Sequence, residues 1–171
     1  MDEQYLKDVF PQLELIKDAA IKNAVINTYL KAAEMGGWDT LEGIPFTLLI
    51  DTQITFAEHT KAVTDMALSL GEIMQHFVSI TMDYLIAGGL LHDVGKLLEY
   101  ERKGGKVVKS RHGELLRHPV SGAVIAAEQG LPPEVIHIIV AHSKEGEAVK
   151  RIPEAIIIHH CDFVHFESVK G

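Results

Sequence analysis

Apolar residues along this chain recur mostly at intervals of three and four, the spacing of one face of a helix. Over residues 12–34, QLELIKDAAIKNAVINTYLKAAE, this places Leu13, Ile16, Ala20, Ala24, Ile26 and Leu30 roughly on one stripe, and Gly36-Gly37 closes the predicted helix. Residues 53–78 predict a second long helix with Phe56, Val63, Met66, Ala67, Leu70 and Ile73 or Met74 facing inward, and His59 falls near that stripe. Residues 81–92 are almost wholly apolar and predict a short buried helix, with Thr81 available as its N-cap and Asp83 in its first turn. Two more helices are predicted over 117–129 and 133–142, split by GLPP, where Gly130 ends one and Pro133 suits the first turn of the next. Pro153 opens a last helix that runs to about residue 168.

The connections have no such period. WDTLEGIPFTLLI (38–50) contains Gly and Pro and reads as a loop with an apolar anchor. ERKGGKVVKSRHGE (101–114) is basic and predicts a surface excursion, with a small hairpin around Gly104-Gly105. There is no internal repeat. The fold class expected is all-α, with six or seven helices.

Composition narrows the partners. A chain of 171 residues suits one domain with a single core. Its formal net charge of -8 argues against binding duplex nucleic acid through the phosphate backbone. A small phosphorylated substrate stays open, because a bound metal reverses the local potential. Cys161 is the single cysteine and cannot form an intrachain disulfide, which suits a reducing, cytoplasmic compartment. MDEQYLKDVF lacks the basic and apolar regions of a signal peptide, and no apolar run approaches membrane-spanning length, so a soluble protein without membrane contact is expected.

The chain holds ten histidines, a surplus of the commonest metal ligand. In AGGLLHDVGKLLEY, residues 87–100, His92 and Asp93 end the apolar helix, with Gly95 and Lys96 behind them. An imidazole is favourable at a helix C-terminus, but a carboxylate there is not, so a polar cap explains Asp93 poorly. Asp162 lies mid-helix among Ile156, Ile157, Ile158 and Phe163, where a carboxylate needs a partner. His59, His92, His118 and His142, with Asp93 and Asp162, supply about what two octahedral transition-metal ions need once water fills the rest, with Asp93 placed to bridge. Each histidine also has a bland reading: a hydrogen-bonded core residue for His59, a turn residue for His118, a solvated loop residue for His142. His159, one turn before Asp162, is equally a hydrogen-bonding support or an unrelated residue. His76, His137, His160 and His165 read as structural or solvent-facing, and Cys161 as a small buried apolar residue.

Taken together, EHT at His59, HDVGK at His92–Lys96, RHPVSG at His118, VAHSKEGE at His142 and HHCD at Asp162 resemble the HD-domain superfamily of metal-dependent phosphohydrolases. That family's signature is H…HD…H…H…D on a helical core, and the resemblance covers roughly residues 55–166, in the binuclear form. HDVGKLLEY, GELLRH and PEAIIIHHCD are similar to the HD domains of certain bacterial exoribonucleases. HDVGK with HPVSG is also similar to the cyclic-di-GMP phosphodiesterases, whose Gly-Tyr-Pro motif this chain lacks. The resemblance implies an all-α HD-domain bundle over 55–171, with residues 1–54 as a short helical extension packed on it. It implies two divalent ions (Mn, Fe, Ni, Co or Mg), one held by His59, His92, Asp93 and Asp162 and the other by Asp93, His118 and His142. A water bridging them loses a proton near neutral pH and attacks a phosphate ester, of a nucleotide or phosphodiester. Lys96 is then expected to contact substrate phosphate, with Gly95 turning the backbone so that it faces that way. The basic loop is expected to form a phosphate-steering wall, with Arg111 and His112 as candidate substrate contacts, His112 being otherwise a structural or solvent-facing residue. Two other classes stay open: a di-iron oxygenase of the HD type, which uses the same ligand order, and a non-catalytic binding or signalling module built on the same helices.

Overall fold

Helices begin where a short polar side chain accepts from otherwise free amides. In the computed structural model, which describes residues 1–171, Asp2 accepts from Tyr5 N at the start of α1 (Glu3–Val9). A single 3-10 turn follows at Pro11–Leu15. Asp18 then accepts from the amides of Ala20 and Ile21 to open α2 (Ala19–Gly36). The helix expected from residue 12 therefore starts seven residues later, and Ala20 is exposed. The break has a cause: the Asp83 carboxylate takes the amides of Lys17 and Asp18, at 3.1 and 2.8 Å, before the helix can. Leu13 and Ile16 are buried all the same.

A Thr55–Glu58 capping box starts α3 (Phe56–Met74). Val63 and Ala67 face the core as expected, but Leu70 and Ile73 are 41% and 58% exposed. Gly71 is the contact instead, because Leu85 of α4 (Met82–Leu91) occupies the space where a Cβ would stand. Thr81 precedes α4 without capping it by its side chain; its amide donates to Glu154 Oε1 at 2.7 Å. The chain continues through α5 (Lys96–Glu99), β1 (Tyr100–Lys103), β2 (Lys106–Lys109), α6 (Arg111–Leu115), α7 (His118–Glu128), α8 (Pro133–Ala141) and α9 (Pro153–Lys170). The expected hairpin is present, with Tyr100 opposite Lys109 and Lys103 opposite Lys106. Gly104 and Gly105 both have positive φ, 60° and 78°, the requirement of a tight primed turn. The fold is all-α apart from this hairpin. The helices beyond the six or seven expected are α1, α5 and α6, each too short to show a hydrophobic period. No helix is long and apolar enough to cross a membrane.

Apolar all round, α4 is enclosed on every side, and Leu85, Ile86, Ala87, Leu90 and Leu91 are buried. Its partners are α2, α3, α8 and α9. Leu6, Phe10, Leu13 and Tyr29 share one cluster with Ile86, Leu90, Leu97 and Ile139. The loop after α2 is anchored by Trp38, whose Nε1 donates to Leu97 O at 2.7 Å.

Two glycines set the distance between the end of α4 and the start of α7. A Cβ on Gly95 would lie 2.1 Å from His118 O and 2.7 Å from Gly122 N. Gly95 lies in the turn between α4 and α5, as expected, but with ordinary helical dihedrals (φ -65°, ψ -12°), so what requires glycine there is close approach and not a positive φ. Replacing Gly95 with Ala must push α7 away from Asp93. Gly95→Ala is expected to destabilise the chain by about 1–3 kcal/mol in denaturant titration and to weaken divalent-ion binding; unchanged stability would show that α7 tolerates the displacement.

Candidate metal centre

Five helices each deliver donors to one point. His59 comes from the first turns of α3, His92 and Asp93 from the end of α4, His118 from the start of α7, His142 from just after α8, and Asp162 from the middle of α9. His59, His92, Asp93, His118 and His142 are all at most 6% exposed. Asp93 lies at the centre, and its two oxygens look in different directions. Oδ2 is 3.4 Å from both His59 Nε2 and His92 Nε2. Oδ1 is 3.2 Å from His118 Nε2 and 3.7 Å from His142 Nε2. Asp162 Oδ1 completes the first half, 3.2 Å from His59 Nε2. Donor atoms of His59, His92 and Asp93 lie within 4.8 Å of one another, as do those of Asp93, His118 and His142.

The chemistry of this donor set fits divalent ions. His92 Nδ1 donates to Gly89 O and His142 Nδ1 donates to Ile139 O, both at 2.7 Å. His118 Nδ1 donates to Glu99 Oε2 at 2.8 Å. A neutral imidazole with its proton on Nδ1 turns a bare lone pair inward on Nε2. Yet His118 Nε2 and His142 Nε2 face each other at 3.3 Å, and His92 Nε2 and His59 Nε2 at 3.2 Å. Facing lone pairs repel unless a proton or a cation stands between them. Atoms bound to one ion at about 2.1 Å lie about 3.0–3.4 Å apart at octahedral or tetrahedral angles, close to the spacings here.

Protonation follows from the same contacts. Burial alone would raise the Asp93 carboxyl, but Lys96 and His92 hold it well below the usual carboxylate range. Burial pushes His118 down, which keeps it neutral. Burial also opposes a charge on His59, yet its bonds to Asp162 and Asp93 win and raise it. A cation entering beside His59 must displace that proton, so ion uptake releases protons.

Lys96 is buried and does not face outward; its Nζ donates to Asp93 Oδ2 and to Phe46 O, each at 2.5 Å. His159 Nδ1 donates to His142 O at 2.6 Å. Arg111 pairs with Glu114 at the surface and His112 bonds Ser121 Oγ, so neither bonds any of the six clustered residues. Three supports went unread in the sequence. Glu99 accepts from both the amide and the ring of His118 at 2.8 Å. His165 Nδ1 lies 3.0 Å from His59 Nδ1. Phe46 stacks on His59 with ring centroids 4.8 Å apart. Glu99 gave no local signal, since its partner lies 19 positions away; His165 follows Asp162 by three positions on α9, a spacing that could have suggested it.

Two outcomes are expected. Glu99→Gln should weaken ion binding by about 10–100-fold, read by calorimetric titration, because His118 loses the carboxylate that fixes its tautomer. Asp162 is held at about 2 against an ordinary 3.8: burial works against this, but the His59 bond and the nearby His92 outweigh it. A depressed carboxyl stabilises the fold above its unfolded value, and that stabilisation is lost as pH falls through the folded value. The metal-free chain should therefore lose on the order of 2 kcal/mol as pH drops from about 3.8 to about 2. Asp162→Asn should flatten that limb in denaturant midpoints.

Comparison with known proteins agrees with this geometry. The family model described as HD domain matches residues 56–167. A dihydroneopterin 2',3'-cyclic phosphate phosphodiesterase of Methanocaldococcus jannaschii is 32% identical over 108 residues, 61% of this chain and 43% of that protein. Ribonuclease Y of Thermosipho melanesiensis is 34% identical over 98 residues, 57% of this chain and 16% of that protein. Ribonuclease Y of Thermotoga petrophila is 24% identical over 157 residues, 92% of this chain and 28% of that protein. The chain thus spans less than half the length of these relatives. No solved structure matches it significantly. With the family model covering most of the chain and its helical core built around the clustered histidines and aspartates, the protein belongs to the HD domain family.

Proposed function

We propose that the chain is a metal-dependent phosphodiesterase in which Asp93 bridges two divalent ions. The observation that carries this reading is the division of the Asp93 oxygens, Oδ2 toward His59 and His92 and Oδ1 toward His118 and His142. Family membership supports it, as do relatives whose names denote phosphodiester cleavage. His59, His92, Asp93 and Asp162 would hold one ion, and Asp93, His118 and His142 the other. When bound, divalent ions such as Mn, Fe, Ni, Co or Mg supply Lewis acidity that activates water and offsets charge on a phosphate ester.

The chain's own residues do the rest. Glu99, Gly89 O and Ile139 O keep three imidazoles in the tautomer that points Nε2 inward. Lys96 spends two N–H groups on Asp93 and Phe46 O, which leaves one for a non-bridging phosphate oxygen. Burial opposes its charge, but Asp93 keeps it protonated. The hairpin cations Lys103, Lys106 and Lys109 form the steering wall, and Arg111 and His112 reach substrate there by releasing Glu114 and Ser121. The substrate is a small phosphorylated molecule of the nucleotide class. Residues 1–54 act as a helical extension of the HD unit (55–171), supported by their share in its core. A cytoplasmic setting is supported by Cys161, the single cysteine, which is free and leaves the chain without a disulfide.

Asp93→Ala should lose bound metal and at least about a thousandfold of its turnover on bis(p-nitrophenyl) phosphate, with circular dichroism confirming the fold. Wild-type turnover should be the same with and without dioxygen. Turnover by the metal-free variant, or a need for dioxygen, would sink the reading; the second result would favour oxygenase chemistry.

A further inference from the structure

A cleft lies beside His159, whose ring donates to His142 O. It measures about 390 Å³ and is lined by Lys150, Arg151, Ile156, His159 and His160. Two of its five lining side chains, Lys150 and Arg151, are cations, and no carboxylate lines it, in a chain whose net charge is -8. Two cations with no carboxylate beside them, within an acidic protein, favour an anion.

The groups are partly fixed in place. Arg151 Nε donates to Ala141 O at 2.6 Å, and one of its terminal nitrogens donates to Ser143 O at 3.1 Å. This orients the guanidinium and leaves three N–H groups unspent, in the planar fork that suits phosphate. His159 is fixed by its bond to His142 O and by stacking on Phe163 and His160, with ring centroids 4.6 and 5.0 Å apart. Lys150 is exposed and supplies a mobile point charge at the rim. The cleft therefore joins the candidate metal centre through one residue: His142 turns Nε2 toward Asp93 and its carbonyl toward His159.

We infer that this cleft is a phosphate-binding subsite, distinct from the position of the scissile phosphate. Two sources share this chemistry: a non-scissile phosphate of the substrate itself, or a separate phosphate ion. Assigning the phosphate to a substrate rests on the phosphodiesterase reading; the binding itself does not. A substrate that fills both positions carries at least two phosphates, as a short oligonucleotide does and a lone cyclic mononucleotide does not.

The test titrates inorganic phosphate into the full chain loaded with magnesium and follows backbone amide resonances. Saturable shifts at Ile156, His159 and His160 are expected, separate from any at residues 92–95. Lys150→Glu should weaken the cleft event by about tenfold, while Lys17→Glu, the same charge change on another face, should leave it intact. The second arm compares a dinucleotide with and without a 5'-phosphate. If Lys150→Glu erases a KM advantage of the phosphorylated form, the substrate supplies the phosphate; if the two KM values match in both proteins while phosphate still binds, a free ion does. Absence of shifts at the cleft, or equal weakening by both variants, overturns the subsite. Phosphate binding in a chain that hydrolyses neither dinucleotide would instead overturn the phosphodiesterase reading alone.

Discussion

A carboxylate buried to 2% exposure, Asp93, is the constraint to which the rest of the molecule answers. An uncompensated buried charge costs several kcal/mol, so the surroundings must present positive charge to it. Lys96 does so on one side, and four imidazoles converge on the remaining directions. Three of those imidazoles, His92, His118 and His142, turn lone pairs inward, an arrangement that bound cations would complete. The architecture follows from this demand. An apolar α4 enclosed by helices fixes His92 and Asp93 rigidly, and the Gly95–Gly122 approach brings His118 within reach.

The two halves of the cluster are supported differently. His118 leans on a carboxylate, Glu99, which is itself held below its usual range: burial opposes this, but the bond from His118 outweighs it. His59 leans on a neutral partner, His165, and shares its inner nitrogen with two carboxylates. A carboxylate behind an imidazole raises its basicity, whereas a second imidazole does so less. Ions held by the two halves would therefore meet different fields, although Asp93 would serve both. His142 carries the asymmetry outward, because its carbonyl anchors the basic cleft at His159.

Much of this was legible in the sequence because periodicity and ligand order are both one-dimensional signals. The long helices, the Gly104-Gly105 hairpin and the convergence of His59, His92, Asp93, His118 and His142 could be read there. What could not be read depends on distant pairs. The break before α2 is set by Asp83, 65 positions from Asp18. The outward turn of Leu70 and Ile73 is set by Leu85 meeting Gly71. The inward turn of Lys96 is set by Phe46 O, 50 positions away. Gly95 is a turn residue as read and also a contact residue, and the second role depends on the neighbouring backbone of α7.

The most direct measurement is anomalous diffraction from crystals of the manganese-loaded chain. Two peaks are predicted, one between Asp93 Oδ2, His59, His92 and Asp162, the other between Asp93 Oδ1, His118 and His142. A single peak, or density that leaves either Asp93 oxygen without an ion, would contradict the bridging role assigned to this carboxylate.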